Sequence, residues 1–271
     1  MRRVTVRTLF TLFLVPAVAV VAATDQEQPK EDHHAPIDPQ RIYEFDVQNV
    51  IVEDFESEGY VLALGGGGEG VIGQLKGQQA VAIDISRREL EKAPAGPLKI
   101  VMDAGDLKFI DGSFSTAATF FTLMYIPGSE HPKVFAEAFR VLEPGGRLLI
   151  WDAVFGEQPD PAKDVGVVVL HITLPDREID TGYGTRWPDE VHDLAYYRGL
   201  GREAGFEVVR GEVNDQWFYL ELRKPYQTAV GTRHFRAEAR STLTHPRPAV
   251  VRVAIRTSSL FTPLERTQVR I

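Results

Sequence analysis

The 271-residue sequence contains no cysteine. That excludes disulfides, thiolate-bound zinc and thiol nucleophiles together. It also lacks a Gly-x-Ser-x-Gly stretch, so a serine hydrolase of the nucleophile-elbow kind is not indicated. Positive charge is scarce: 30 lysines and arginines against 38 acidic residues give a net charge of −8. A dedicated nucleic-acid binder carries a basic surface, so none is expected here. Apolar runs are short; residues 9–23 form the most apolar stretch, and a spanning helix needs about 20 residues. No cluster of metal-ligand residues has usable spacing. The adjacent pair His33-His34 does not complete a coordination shell. What remains is a chain that is 44% hydrophobic and 25% charged, enough to bury a core and too apolar for global disorder.

The two ends differ in character from the body. Residues 1–23 open on a basic lead (Met1-Arg2-Arg3), continue through the apolar stretch and finish on Val21-Ala22-Ala23 before Thr24. This is the order of a secretory signal peptide. Export follows as an expectation, to a secreted or periplasmic location, or to a membrane anchor if the leader is uncleaved. Residues 24–40 are polar and proline-bearing and read as a linker. Residues 226–271 hold eight arginines and no lysine and read as a loosely ordered Arg-rich extension, in which residues 250–255 could form a strand.

Between these ends, residues 41–225 read as one domain. Residues 42–58 carry scattered apolar side chains and acids and predict a helix. Apolar runs at 61–64, 80–83, 98–101, 115–122 and 147–151 predict strands. Stretches with helical character lie between several of them, near 71–75, 86–92 and 133–142. Strands alternating with helices predict a parallel sheet with helices on both faces. Residues 193–204 predict a further helix capped by Gly205. Two strands at 206–213 and 217–222, separated by Asn214-Asp215, predict an antiparallel hairpin. The fold class is therefore α/β: a Rossmann-like doubly wound sheet, mostly parallel, with a C-terminal antiparallel hairpin.

The most informative stretch is Val61-Leu62-Ala63-Leu64-Gly65-Gly66-Gly67-Gly68-Glu69-Gly70. A buried strand runs into a turn of nearly pure glycine, which suits a backbone that must approach something closely. The next apolar run ends in Asp84, nineteen residues after Gly65. A glycine turn followed by an acid at the next strand end is how a doubly wound sheet holds an adenosine moiety.

With Leu62–Gly67, Asp84, Asp103-Ala104, the stretch 119–126 and Leu142-Glu143-Pro144-Gly145-Gly146-Arg147-Leu148-Leu149 in order, the region from about 60 to 225 resembles a class I S-adenosylmethionine-dependent methyltransferase of the type 11 group. The resemblance implies the cofactor S-adenosylmethionine. It implies that Gly65, Gly66 and Gly67 lie beside its amino-acid end and that Asp84, with Ile85 next to it, meets the ribose. Asp103 and Ala104 would meet the adenine, and Phe120 or Phe121 would wall the sulfonium. Two positions depart from the family pattern. Ala63 stands where an acid usually ends the first strand, and Ser115 where an Asp usually precedes the fourth. Glu69 is a candidate to supply the missing charge.

Methyl transfer is an in-line displacement that rests on alignment and water exclusion. The segment 153–193 reads either as a lid over the pocket or as a structural insert. Tyr125, Asp152, His171 and Tyr183 are the candidate bases, and a small molecule is the expected acceptor. Two other functions stay open. Gly65-x-Gly67-x-x-Gly70 with Asp84 also matches a nicotinamide-binding fingerprint, and the departures at Ala63 and Ser115 suit a non-catalytic binding module.

Overall fold

Residues 38–226 are described in the computed structural model. The readings of a leader at 1–23, of nearly all the linker, and of the Arg-rich extension with its strand at 250–255 lie outside the described residues. All the described residues fall within one unit of the chain, Met1–Gln227.

The five apolar runs form the parallel strands expected of them. They are β3 (Val61–Leu64), β4 (Ala80–Asp84), β5 (Leu98–Val101), β6 (Phe114–Phe120) and β7 (Leu142–Ala153). β1 (Ile42–Glu44) and β2 (Gln48–Ile51) precede them in the chain. Between the parallel strands lie α1 (Val71–Lys76), α2 (Arg87–Lys92) and α3 (His131–Val141). Ser86 opens α2 by accepting from the Glu89 amide, a side-chain cap of the usual kind. After β8 (Val165–Leu174) and β9 (Arg177–Arg186), α4 (Leu194–Glu203) leads into β10 (Glu207–Asn214) and β11 (Trp217–Arg223). The main sheet runs β10-β11-β7-β6-β3-β4-β5. β3, β4, β5, β6 and β7 pair in parallel, and β11 is antiparallel to both β7 and β10. All four residues of β3 are buried, as befits a central parallel strand covered on both faces. The hairpin turn falls on Asp215-Gln216, one residue later than expected, with Asp215 at φ +51°.

The region 42–58 is not a helix. It holds β1 and β2, both paired in parallel with β8. Its burial alternates: Gln48, Val50 and Val52 are buried, while Asn49, Ile51 and Glu53 are exposed. That is the period of a strand. The segment 153–193 is an insert with secondary structure of its own. β8 and β9 form an antiparallel hairpin over ten paired positions, from Val165↔Arg186 to Leu174↔Arg177. Thr181-Gly182-Tyr183-Gly184 lies within β9. β1, β2, β8 and β9 together make a second, four-stranded sheet.

One face of the main sheet, carrying Leu62, Ile83, Leu148 and Ile150, packs with Val134, Phe135 and Ala138 of α3 and Tyr197 and Leu200 of α4. The other face, carrying Ala63, Ala82, Ala118, Phe120 and Trp151, packs with Val71 and Ile72 of α1 and Leu90 of α2. It also packs with Val168, Leu170, Ile172 and Leu174 of β8. Part of the face expected to carry helices is thus covered by the second sheet. Each fully buried aliphatic side chain contributes at most about 1.5–3 kcal/mol. Outer-face ion pairs such as His171–Asp180 lie in solvent and add little. The hairpin is held by its inner face.

Candidate cofactor cleft

The chain leaves β3 through the glycine turn at the carboxyl end of the sheet. β3 is where the order of connections reverses: β4 and β5 follow it on one side, β6 and β7 on the other. Ligands of open α/β sheets bind at such a switch point. A small cleft lies there, bordered by Ala63, Gly65, Gly66, Gly67, Phe120 and Tyr183 among others.

Gly65 has φ +69°, and a Cβ on it would lie 2.1 Å from Thr122 Cγ2. Only glycine can stand there. A Cβ on Gly67 would lie 2.7 Å from Asp84 Oδ2 and 2.6 Å from Glu89 Cβ. The close approach inferred from the glycines is thus met first by the chain itself. The loop amides are occupied as well. Gly66 donates to the Ile83 carbonyl, Gly68 to that of Glu89 and Gly70 to that of Gly67, at 2.8–3.0 Å. Gly67 donates to Asp84 Oδ2 at 3.2 Å. A dinucleotide pyrophosphate is held by amides left open at this turn, and these four are taken.

Asp84, the last residue of β4, is partly buried. Its Oδ1 accepts from the Ser86 amide at 2.8 Å. Burial raises its pKa, while the Ser86 and Gly67 amides pull it down. Each oxygen accepts one amide, and a carboxylate has about four acceptor sites, so two remain for a diol. Ile85 beside it is 64% exposed. The Met102 amide donates to the Asp84 carbonyl at 3.0 Å, which sets Asp103 and Ala104 at the next strand end. Asp103 is exposed and its Oδ1 accepts from Gly105 at 2.8 Å. Asp84 is joined to the glycine turn directly; Asp103 is bonded only within its own turn.

On the other side, Phe120 is buried and borders the cleft. Phe121, also buried, has φ +47°, a conformation that costs a bulky residue on the order of 1–3 kcal/mol. Asp152 holds this turn. Its Oδ2 accepts from Thr122 at 3.0 Å and Leu123 at 2.8 Å, and its Oδ1 from Met124 at 3.2 Å and Ala153 at 2.9 Å. Burial pushes its pKa up to about 7 against the pull of those four amides. Asp152 is fully buried, so the expectation of a base facing substrate is corrected: it is a structural carboxylate.

The roof is β9. Tyr183 Oη donates to Glu69 Oε2 and Thr181 Oγ1 to Glu69 Oε1, both at 2.8 Å. Thr185 Oγ1 donates to the Met124 carbonyl at 3.1 Å. The Tyr183 ring centroid lies 5.7 Å from that of Phe121 and 6.5 Å from that of Tyr125. Desolvation, with Glu69 adding to it, raises the Tyr183 phenol. Desolvation also raises Tyr125, with Asp152 and then Glu69 adding, although that residue is 51% exposed over its whole surface. Both phenols are therefore held in the protonated form at neutral pH. His171 is paired with Asp180 at 2.7 Å, and that bond raises its pKa. Strand alternation puts His171 and Asp180 on the face opposite Tyr183 and Thr181. His171 and Tyr183 therefore do not share a site.

Of the two departures, Ala63 borders the cleft. Ser115 is at the start of β6, the end away from it, where its hydroxyl lies 3.0 Å from that of Ser57. Only Ala63 bears on the site. The sequence did not point to Thr181, to Thr122, or to the buried pair His131 and His192. His131 Nε2 faces the Leu123 carbonyl at 3.0 Å and its Nδ1 the Tyr196 hydroxyl at 2.9 Å. These link elements far apart in the chain, and no local pattern marks them.

Residues 62–150 match the family model of a methyltransferase domain. No curated protein matches the chain. Among solved structures, an S-adenosylmethionine-dependent methyltransferase of Methanosarcina mazei is 19% identical, over 64% of this chain and 95% of that one, with a TM-score of 0.47. The [4+2]-cyclase SpnF is 16% identical, over 63% of this chain and 76% of that one, at 0.45. Phosphoethanolamine N-methyltransferase 2 of Haemonchus contortus, solved with S-adenosyl-L-methionine, is 14% identical, over 63% and 50%, at 0.45. Over residues 62–150, then, this chain is similar to a methyltransferase domain, and that stretch lies within a Rossmann-like fold.

Proposed function

We propose that this protein transfers a methyl group from S-adenosylmethionine to a small-molecule acceptor. The observation that carries the reading is Asp84: a carboxylate at the end of β4, bonded to the glycine turn and keeping acceptor capacity at the switch point of the sheet. These residues fit the nucleoside end of the cofactor. Asp84 would hold the ribose hydroxyls, with Ile85 against the base and Asp103 and Ala104 at its edge. When bound, the cofactor supplies an electrophilic methyl group on sulfur. Phe120 and Tyr183 exclude water on either side, and Tyr125, packed edge-on against Tyr183, offers a protonated hydroxyl beside them. A base is needed only where the acceptor must lose a proton. With Asp152 enclosed and His171 on the far face, the site favours an acceptor that is already nucleophilic.

Calorimetric titration tests this. S-adenosylhomocysteine should bind and NAD should not, and Asp84→Asn should weaken the former. Binding of NAD with none of S-adenosylhomocysteine would overturn the reading. A second reading, a non-catalytic binding module, is favoured by Ala63 at the cleft wall. Cofactor binding with no transfer of labelled methyl to any component of a cell extract would decide for it. Export is part of the proposal, and recovery of protein beginning at Thr24 outside the cytosol is the expected result.

A further inference from the structure

Glu69 is held on both carboxylate oxygens by the roof strand, at 2.8 Å from Thr181 Oγ1 and 2.8 Å from Tyr183 Oη. Both donors are neutral hydroxyls, so they orient the carboxylate without cancelling its charge. Each oxygen retains capacity for a second hydrogen bond. The surroundings are aromatic: Tyr183 borders the cleft and packs against Phe121 and Tyr125. A fixed carboxylate beside aromatic faces is complementary to an organic cation, through charge-assisted hydrogen bonds and ring quadrupoles. The wall of the same cleft lacks a carboxylate at its first position, because β3 ends in Ala63-Leu64 and both are buried.

We propose that Glu69, oriented by Thr181 and Tyr183, is the cation subsite of this cleft and receives the ammonium group at the amino-acid end of the cofactor. The inference rests on the methyl-transfer reading. Its consequence is that cofactor affinity depends on the β8–β9 hairpin, whose Thr181 and Tyr183 stand 112 and 114 residues from Glu69 in sequence and supply the two hydroxyls. Thr181 and Tyr183 are positioning residues: they act through Glu69.

The test compares S-adenosylhomocysteine with 5′-methylthioadenosine, the same nucleoside thioether without the ammonium and carboxylate, by calorimetry on the full chain. Glu69→Gln should weaken S-adenosylhomocysteine about tenfold or more, the size expected for a charge-assisted hydrogen bond, and change methylthioadenosine by less than about twofold. Tyr183→Phe keeps the ring and should give a smaller loss of the same selectivity. Equal losses for both ligands, or no loss for either in Glu69→Gln, would overturn the subsite while leaving the methyl-transfer reading intact. A wild-type chain that binds neither ligand would bring down both. Should Glu69→Gln fail to fold, Tyr183→Phe and Thr181→Val carry the same comparison, and unchanged S-adenosylhomocysteine affinity in both would overturn the inference.

Discussion

At the scale of single residues, the cleft depends on positions where the backbone has no alternative. Gly65 combines φ +69° with a methyl group from Thr122 where its own Cβ would be. Gly65→Ala should therefore destabilise by about 2–4 kcal/mol, from left-handed strain plus overpacking. Adding Thr122→Ala should recover the packing part but not the strain, and urea unfolding of the single and double variants measures both. Asp152 is the second such position. Asp152→Asn keeps the shape but turns amide hydrogens toward at least one set of buried backbone donors. A loss of about 2–3 kcal/mol is expected, and near-ultraviolet dichroism should report the displaced Phe121. The acid at the end of the fifth strand run was legible in the sequence, but its role was not. Nothing local to Trp151-Asp152 announces that the amides of residues 122–124 will surround it. Asp84 was easier to read, because its partner Gly67 is only seventeen residues away.

At the scale of elements, legibility followed how local the cause of each element is. The strands of the main sheet are short apolar runs closed by glycine or acid, and the caps of α2 and α4 are their neighbouring Ser86 and Asp193. β1 and β2 were misread because they are strands only by virtue of β8, and such context outweighs intrinsic preference. The entry to α4 makes a pH prediction. His192 is buried, bridges Phe155 through the backbone and stacks on Tyr196 at 4.6 Å. Burial, with His131 adding, lowers its pKa to about 4, against about 6.5 in an unfolded chain. A depressed histidine keeps full stability above the unfolded value. It loses stability as pH falls toward the folded one, because the unfolded chain binds the proton first. Between pH 6.5 and 4 the wild type should therefore lose on the order of 1–3 kcal/mol relative to His192→Phe, the lower end if water reaches the ring. Denaturation midpoints of the pair across that range give the difference directly. Titrating groups remote from His192 cancel in the comparison, including Asp152, whose raised pKa acts in the opposite direction; His131, 5.1 Å from His192 ring to ring, is relieved in the variant and adds to the difference.

At the scale of the whole described domain, two sheets share one apolar layer, and the roof of the cleft belongs to the second. The fold class was legible because alternation of strands and helices is a global pattern. The candidate site was legible only on its floor. Its roof comes from β9, and Thr181 and Tyr183 reach Glu69 from 112 and 114 residues away. Hydrogen exchange should rank the amides accordingly. Central β3 should exchange slowest, and β9, paired on one edge only, should exchange faster. Addition of S-adenosylhomocysteine should slow β9 and the glycine turn together, whereas protection confined to the turn would show that the roof takes no part in binding.

The parallel pairing of β1 with β8 sets an order of assembly. Arg41 and Asp164, which form an ion pair beside that seam, are 123 residues apart. On a ribosome adding about 5–20 residues per second, β1 and β2 wait roughly 6–25 s for their partner. Through that interval Val50 and Val52 have no sheet to enter, and the ceiling over the glycine turn does not yet exist. Nascent chains halted before residue 165 can form much of the central sheet but cannot enclose a ligand, so the capacity to retain one should switch on late and abruptly during synthesis.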